Sequence, residues 1–493
     1  MIRFRATSRI LLGVILLEFI DGILGAYYTP LTVPLARSVG LHDSDWNWIE
    51  AAQTLLGAMV IPVLTKLGDR YGHKKALLAS VTVTAGAAWW VVAGGGLVSV
   101  LIAFSLIAFN SAWGALELAV VRSSYGESAE ADEKVSAASA ALIVAFMVGS
   151  VGSALFGGQF FEATGGWAAL EEATAAGIDP AGSAAFTDAL RLTLLMPAAW
   201  TTLAIVLVAV FVRDTPPVPS EQHDLPGLFL FVGILVLLVG GLSAVKLWGP
   251  GQIWGWLIIA AAALTAYPFV RRESRLAQPT IDFKLLATRQ VWPYQAAALL
   301  LGVGYNATQI PLVTFASTRP DQAGFGLAAD SGDISVVMAV MILAISVTAG
   351  CLTAFGRRLD QLALLRIAPF IHAGEFILFA FFHTELWQAY IAVAVGGVGA
   401  GILVAWLPAA AANAAPPGKT ATLVGLISLF QVVGVALGSA AFAIILGAVG
   451  HSTGPTAALS GYLTVFAVAV ASSLAAGSLL RLARPPKGTN HAI

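Results

Sequence analysis

Long apolar stretches alternate with short polar connections along almost the whole chain. Fourteen of these stretches have the length, about 20 residues, that an α-helix needs to cross the hydrocarbon core of a bilayer. They cover residues 10–33, 47–67, 76–96, 98–121, 135–160, 190–212, 226–247, 252–270, 291–316, 334–354, 364–383, 387–409, 420–447 and 459–480. The hydrophobic pattern therefore predicts an all-α polytopic membrane protein.

The first span shares one feature with a secretory signal peptide, because Arg3, Arg5 and Arg9 precede it. The span is too long for a signal peptide, carries Asp21 in its middle and lacks a convincing cleavage site. We therefore expect it to be retained.

Basic residues fall very unequally on the two sides that this span pattern creates. If the N-terminus is cytoplasmic, 22 of the 26 Lys and Arg residues lie inside, and only Arg37, Arg191, Lys246 and Arg319 lie outside. An excess of this kind is typical of cytoplasmic loops. Adding or removing one span would invert every later loop and spoil the asymmetry. The sequence thus predicts an even number of spans with both termini in the cytoplasm.

Composition excludes several protein classes. Hydrophobic residues make up 58% of the chain and charged residues 11%, against about 25% in an average soluble domain, so a soluble enzyme is excluded. The formal net charge is −1 without a basic domain or tail, so nucleic acid is not an expected partner. The single cysteine, Cys351, excludes an intramolecular disulfide and a thiolate metal cluster. The sequence has no Walker-type ATP-binding motif, which argues against ATP-driven transport.

None of the polar connections is large enough for a separate soluble domain. The longest, about residues 161–188, is acidic, rich in Ala and Gly, and predicted to lie outside as a mobile loop rather than a binding lid. Two predicted cytoplasmic linkers, residues 213–219 and 271–290, divide the chain into blocks.

The sequence contains an internal repeat. Residues 65–75, between spans 2 and 3, and residues 356–366, between spans 10 and 11, both carry an Asp at their fifth position, followed by basic residues. Two six-span copies separated by two extra spans account for fourteen, and such halves are typical of secondary transporters with a site at the bilayer midplane. The predicted domains are an N-terminal six-helix bundle at 1–213, two linker helices at 214–272 and a C-terminal six-helix bundle at 273–493.

The loop sequence DRYGHK, which begins at Asp69, resembles the cytoplasmic loop motif of the major facilitator superfamily. Trp48, Gln53 and Asp69 are spaced as in the second span of its 14-spanning drug:proton antiporter branch, and Asp21 nine residues before Pro30 resembles that branch's first span. The resemblance covers nearly the whole chain. It implies a major facilitator fold, with two pseudo-symmetric six-helix bundles plus two linker helices.

Three positions depart from the family pattern. Thr65 replaces the usual first Gly of the loop motif, and Ser105 stands where antiporters carry an Arg in span 4. The antiporters' Gly-Pro in span 5 has become Ser153-Ala154. These changes leave the fold unaffected and leave the coupling mode open.

Carboxylates in the spans are the leading candidates for function, because one near the bilayer centre costs at least about 2.5 kcal/mol on insertion scales. Asp21 lies about 17 Å along its helix from the inner end, and Glu18 is one turn away on the same face. Glu117 lies in span 4 on one face with Asn110, and the resemblance places spans 1 and 4 side by side at a central cavity. We predict that Asp21, Glu18 and Glu117 couple transport to protons. The alternatives are that Asp21 only bonds a neighbouring helix and that Glu117 reaches water at the mouth.

Polar and aromatic side chains around this cavity are the predicted substrate contacts. They are Tyr28, Gln53, Asn110, Trp113, Tyr305, Asn306, Gln309 and Trp406. The predicted conformational latch is Asp69, Arg70, Gly72, Lys74 and, in the second copy, Asp360; a plain positive-inside anchor is the alternative for its basic members.

Other polar and small residues receive structural interpretations. Glu50 is expected to be solvated near the outer interface. His372 and Glu375, one turn apart in span 11, are expected to form a local hydrogen-bonded pair on a peripheral helix. Small residues every four positions, namely Gly149, Ser153 and Gly157 in span 5 and Gly434 and Gly438 in span 13, are expected to permit close helix packing.

The expected function is secondary transport by alternating access in the bacterial inner membrane, with export of an amphipathic organic molecule in exchange for protons. The expected partners are a small-molecule substrate, protons and the bilayer, with the chain as a monomer. No cofactor, metal or catalytic residue is expected, because the proton gradient supplies the energy. The alternatives are symport or facilitated diffusion, a membrane-embedded enzyme for lipid-linked substrates, and a non-transporting sensor or scaffold.

Overall fold

The computed structural model describes residues 2–125, 129–213, 225–249, 251–276, 283–356, 359–415, 420–450 and 454–483. These residues form a helical protein. Residues 214–219 of the first predicted linker, residues 277–282 of the second, and Arg357 and Arg358 of the second loop motif lie outside the described residues.

Fourteen long helices carry the described part of the chain. They are α1 Ile2–Tyr27, α2 Asp43–Tyr71, α3 His73–Ala93, α4 Leu97–Tyr125, α5 Ala129–Ala163, α6 Ala184–Phe211, α7 Leu225–Trp248, α8 Ile253–Glu273, α9 Trp292–Ser317, α10 Ser331–Phe355, α11 Gln361–Phe381, α12 Leu386–Asn413, α13 Thr420–Ala448 and α14 Leu459–Leu482. Among the described residues, thirteen helices are long and apolar enough to cross a membrane; α7 has a shorter apolar part, Phe229–Val245. The multi-span prediction is confirmed, whereas the number fourteen and the cytoplasmic termini stay predictions.

Two of the long helices contain irregular segments that the hydrophobic pattern did not predict. Residues Ala108–Ala112 of α4 form a 3₁₀ turn, and residues Gly302–Asn306 of α9 form a π-helical turn. Irregular backbone at membrane depth needs partners for its freed polar groups. The Ser80 hydroxyl donates a hydrogen bond to the carbonyl oxygen of Phe109 in the 3₁₀ turn. The Thr308 hydroxyl donates one to the carbonyl oxygen of Gly304 in the π turn.

The stretch at 161–188 is not the mobile loop that its composition suggested. It contains the helix Gly166–Ala175, which starts after Gly165 in a left-handed conformation (φ 77°). Leu170 and Ala173, three residues apart, are buried on one face of this helix. A short helix that buries an apolar face is a structured element, so the prediction of a mobile loop is corrected.

Contacts divide the chain into two compact units. The N-terminal unit comprises Met1–Leu41, Ala52–His223 and Asp330–Ala339; the C-terminal unit comprises His42–Ala51, Asp224–Ala329 and Val340–Ile493. Helices α2 and α10 therefore each contribute residues to both units. The predicted division into two bundles and a linker pair stays a prediction.

The small-residue stripes pack helices closely, as the sequence predicted. In the N-terminal unit, a Cβ added at Gly149 of α5 would collide with the backbone carbonyl of Phe19 in α1. In the C-terminal unit, a Cβ added at Gly434 of α13 would collide with the backbone carbonyl of Leu299 in α9. Each unit thus contains a helix pair that approaches to backbone contact through glycine, which is the packing expected of helices in lipid.

Candidate functional site

Asp21 and Asn110 meet between α1 and α4. The Asn110 side-chain amide donates a 2.7 Å hydrogen bond to the Asp21 carboxylate. Asn110 lies in the 3₁₀ turn of α4, and both side chains are only partly buried. The prediction that these two helices are neighbours and share their polar faces is confirmed.

Glu18 and Glu117 form a second contact between the same helices, two turns along α4 from Asn110. The side chains of Glu18 and Glu117 lie within hydrogen-bonding reach of each other, and Glu117 is completely buried. Gly114 of α4 lies beside Glu18, since a Cβ there would be in ordinary van der Waals contact, 3.7 Å, with its carboxyl oxygen. The alternative that Glu117 merely reaches water is therefore wrong.

The contact between two carboxyl groups requires a proton. Ionised carboxylates only accept hydrogen bonds, and Glu18 Oε2 and both oxygens of Glu117 have no donor among the described residues. Two buried acceptors that face each other cost free energy unless one of them carries hydrogen. Glu18, Asp21 and Glu117, the acidic cluster from here on, thus have a geometry in which one proton is held between two carboxyl groups.

The other predicted substrate contacts of the N-terminal unit are less accessible. Trp113 is completely buried and its indole donates a 2.9 Å hydrogen bond to Ser80. Tyr28 is also buried, with its ring 5.1 Å from that of Phe104. Gln53 is partly exposed. Trp113 and Tyr28 stabilise helix packing in this structure, and their contact with substrate stays a prediction.

The remaining predicted substrate contacts belong to the C-terminal unit. Tyr305 and Asn306, in the π turn of α9, are partly exposed, and the Gln309 amide lies 3.4 Å from Met341 Sδ. Trp406 of α12 is buried. The eight predicted contacts are thus divided between the two units, and the cavity that they would share stays a prediction.

An open pocket with a cavity volume of about 130 Å³ lies in the C-terminal unit between α9, α12 and α13. Its lining is apolar except for Tyr305 and Gln431. The lining residues are Leu301, Tyr305, Ala400, Leu403, Val404, Leu407, Pro408, Ile427 and Gln431. Of the predicted substrate contacts, only Tyr305 lines this pocket.

The loop residues of the predicted latch make local contacts. Asp69 Oδ1 lies 3.1 Å from His73 Nε2, and the Lys74 ammonium donates a 3.0 Å hydrogen bond to the Ala209 carbonyl of α6. The Arg70 guanidinium lies 5.2 Å from the ring centroid of Tyr71. Gly72 has a φ of 102°, which separates α2 from α3 and which side chains rarely adopt.

Asp360 in the second copy of the loop caps a helix. Its carboxylate accepts hydrogen bonds from the backbone amides of Leu362 and Ala363 at the start of α11, at 3.1 and 3.0 Å. The cap accounts for the presence of an Asp at this position, and the latch role of Asp360 and of the first loop stays a prediction.

Sequence reasoning underestimated two other polar groups. Glu50 is not merely solvated, because the Ser439 hydroxyl donates a 2.5 Å hydrogen bond to its carboxylate. His372 Nδ1 and Glu375 Oε2 lie 3.5 Å apart without a hydrogen bond between them, so the prediction of a hydrogen-bonded pair is wrong and only the close contact is present. Helix α11 does expose apolar residues such as Ile367 and Ile377. The side chains of His372 and Glu375 are nevertheless buried, on the face of α11 opposite to these exposed residues. A signal in the sequence was the run of glycines in α12, against which they pack.

Within the described ranges, no three His, Cys, Asp or Glu side chains are arranged to hold a metal ion.

Comparison with known proteins agrees with this architecture. The sequence profile of the Major Facilitator Superfamily matches residues 11–439. An uncharacterized MFS-type transporter, YfiU of Bacillus subtilis (strain 168), is 24% identical over 455 residues, which is 89% of this chain and 79% of that protein.

Solved structures share the fold at low sequence identity. An auto-inhibited POT family peptide transporter superposes with a TM-score of 0.66 at 13% identity, over 98% of this chain and 99% of that one. The nucleoside transporter NupG does so with a TM-score of 0.62 at 12% identity, over 96% and 98%. The match along the sequence and the fold together show that this chain belongs to the Major Facilitator Superfamily and is a multi-pass membrane transporter that works by alternating access, not an enzyme.

Proposed function

We propose that this protein belongs to the 14-spanning drug:proton antiporter branch and exports an amphipathic or lipophilic organic molecule in exchange for protons. The observation that supports this proposal is the acidic cluster, in which the carboxyl groups of Glu18 and Glu117 approach each other without a donor between them, an arrangement that favours a bound proton. Asp21 lies one turn from Glu18 and receives a donor from Asn110. The proton gradient is the energy source, the chain acts as a monomer in the inner membrane, and no cofactor takes part.

The proposed coupling follows from the cost of charge in a low-dielectric site. An unprotonated cluster carries negative charge inside the protein, which favours water-filled surroundings, whereas a protonated cluster carries less charge and tolerates a closed site. Proton binding therefore biases the equilibrium between the two open states. Moving one charge across 100 mV corresponds to about 2.3 kcal/mol, enough for useful accumulation of substrate.

The proposed substrate class rests on the pocket in the C-terminal unit. Its walls are aliphatic, and Tyr305 and Gln431 supply the polar groups. Apolar walls with a few polar groups suit a molecule with a hydrophobic body and a small polar part. The cavity volume of about 130 Å³ is smaller than that of pockets for whole drug-sized molecules, so this pocket would hold only part of such a substrate.

Proton flux in proteoliposomes tests the proposal. A pH-sensitive dye is trapped in the lumen, and lipophilic cations and neutral dyes are added outside one at a time. A transported compound should drive protons in the direction opposite to its own movement. We expect Asp21→Asn to abolish this proton flux. The exposed Glu172→Gln, on the helix Gly166–Ala175, is the matched control and should leave the flux unchanged.

The sign of the flux separates the coupling modes. Protons that move with the compound would establish symport, and transport without a pH response would establish facilitated diffusion. Full coupling in Asp21→Asn would contradict the assigned role of this residue. A panel in which no compound crosses the membrane faster than in empty liposomes would contradict the proposed substrate class.

A further inference from the structure

A second buried acid–base pair lies in the C-terminal unit, away from the acidic cluster. His372 Nδ1 and Glu375 Oε2 are 3.5 Å apart on α11, and both side chains are completely enclosed. On the other side of the imidazole, Nε2 lies 3.3 Å from the carbonyl oxygen of Gly304 in α9. Only a protonated Nε2 can donate to that oxygen, which fixes the role of this nitrogen.

The proton count of the pair follows from this geometry. Among the described residues, neither Glu375 Oε2 nor His372 Nδ1 has a hydrogen-bond partner. With Nε2 as donor to Gly304, a neutral imidazole presents a bare Nδ1 to the carboxyl group. Either the acid or Nδ1 must then carry a proton, because two facing acceptors would otherwise be buried together. The favoured state of the pair therefore holds one proton between two atoms.

The surroundings are built to fit this pair. A Cβ at Gly396 of α12 would collide with the Glu375 carboxyl group, and a Cβ at Gly399 would lie 2.9 Å from the Cβ of His372. Glycine at both positions lets α12 approach α11 while the two polar side chains stay between them. The cavity for the pair thus depends on residues from three helices, α9, α11 and α12.

The pair also touches a part of α9 that has an irregular backbone. Gly304, which faces the imidazole, lies in the π turn Gly302–Asn306, and the next residue is Tyr305. The Tyr305 ring packs edge-on against the His372 ring, with centroids 5.2 Å apart. The same Tyr305 lines the apolar pocket. One side chain therefore connects the buried pair with the pocket, and π turns within α-helices occur frequently at functional sites.

We propose that His372 and Glu375 form a second proton-binding site, whose proton occupancy sets the position of the π turn and of Tyr305 at the apolar pocket. Loss of the proton leaves an uncompensated buried carboxylate beside Nδ1, which weakens the hold of the imidazole on the Gly304 carbonyl. The π turn then shifts, and Tyr305 moves with it. Glu375 and His372 act here as positioning residues for a pocket-lining side chain.

One further ionisable group faces the pair from a neighbouring helix. Tyr305 of α9 packs against His372, and its phenol is neutral at physiological pH. Changes at acidic to neutral pH are thus assigned to the pair.

A fluorine label at Tyr305 tests this inference without any knowledge of the substrate. Residue 305 is replaced by 3-fluorotyrosine in the full-length protein in lipid nanodiscs, and its ¹⁹F resonance is followed from acidic to neutral pH. We expect a pH-dependent shift that disappears in Glu375→Gln and in His372→Gln. Because Asp21→Asn removes a carboxyl group of the acidic cluster only, we expect it to retain the shift.

The outcomes distinguish the two proposals. A resonance that does not respond to pH, or a response that persists in Glu375→Gln, would overturn the second proton site and leave the acidic cluster unaffected. A response that Asp21→Asn abolishes would also overturn it, because the titrating group would then lie in the other unit. If His372→Gln fails to fold, as judged by size-exclusion chromatography, the nearly isosteric Glu375→Gln decides alone.

Discussion

At the scale of single residues, the acidic cluster differs from an ordinary buried ion pair because both members of one contact are acids. Glu18 and Glu117 each have a carboxyl group, and no base is needed to balance them when one proton is present. The proposed function of the cluster therefore depends on whether this proton can be released. The stability of the contact depends only on whether one of the two side chains can donate a hydrogen bond.

Substitutions at Glu117 separate these two properties. In Glu117→Gln the amide donates to Glu18 at all pH values, so we expect thermal stability close to wild type but loss of proton flux. In Glu117→Leu the Glu18 carboxyl group loses its partner, and we expect destabilisation by about 1–3 kcal/mol. Thermal unfolding in detergent and liposome flux measure the two effects. Wild-type coupling in Glu117→Gln would show that the shared proton is not the transported one.

Asp360 offers a similar separation between a helix cap and a latch. Asp360→Asn keeps a side-chain acceptor for the amides of Leu362 and Ala363 and removes the charge. Asp360→Ala removes both and should cost about 1 kcal/mol of stability. If Asp360 acts only as a cap, we expect Asp360→Asn to unfold and transport like wild type. A stable Asp360→Asn protein with impaired transport would instead support the latch.

Some contacts of the site could be predicted from residue spacing, and others could not. Glu18 and Asp21 are three residues apart, and Asn110 and Glu117 are seven residues apart. The two members of each pair therefore share a face of their helix. That α1 and α4 are neighbours came from the family resemblance. The burial of His372 and Glu375 was missed because their own helix also exposes apolar residues, and the glycines that enclose them lie far away in sequence.

At the scale of helices, apolar pattern predicts where spans lie but not where they are irregular. A 3₁₀ or π turn keeps the same residues in the same apolar run, so the turns at Ala108–Ala112 and Gly302–Asn306 leave no trace in hydropathy. The helix Gly166–Ala175 was missed for the opposite reason. Its Ala- and Gly-rich composition resembles that of a loop, although two buried positions suffice to anchor it.

Close approach of α1 and α5 gives a prediction for helix packing. Gly149 lies against the Phe19 carbonyl, whereas Gly152, three residues later on the same helix, has open space around its Cα. We expect Gly149→Ala to destabilise the protein by about 1–3 kcal/mol through overpacking, and Gly152→Ala to be neutral or slightly stabilising. Thermal unfolding of the two variants in one detergent makes the comparison. Equal stabilities would mean that α1 and α5 can separate without cost.

At the scale of the whole molecule, α2 is the helix whose contacts bear most directly on alternating access. Its first residues belong to the C-terminal unit. The Asp43 carboxylate there accepts hydrogen bonds from the Tyr462 hydroxyl at 2.8 Å and from the Ala457 amide at 3.2 Å, and Glu50 accepts one from Ser439. From Ala52 onward the same helix belongs to the N-terminal unit. The sequence showed a polar start of span 2 but not these partners, which lie 389 to 419 residues away along the chain.

We expect alternation between two open states to move the start of α2 relative to α13, so fixing this contact should stop the cycle. In a Cys351→Ser background, we expect Glu50→Cys with Ser439→Cys to be cross-linked by oxidation or a short bifunctional thiol reagent, and transport to fall to the level of empty liposomes. Reduction of the disulfide should restore transport, and each single-cysteine variant should be insensitive to oxidant. The wild-type side chains lie in hydrogen-bonding contact, so cross-linking needs little backbone movement in this state. If the cross-linked protein still transports at the rate of its reduced form, the start of α2 stays attached to α13 throughout the cycle, and α2 must then bend near Ala52 rather than detach.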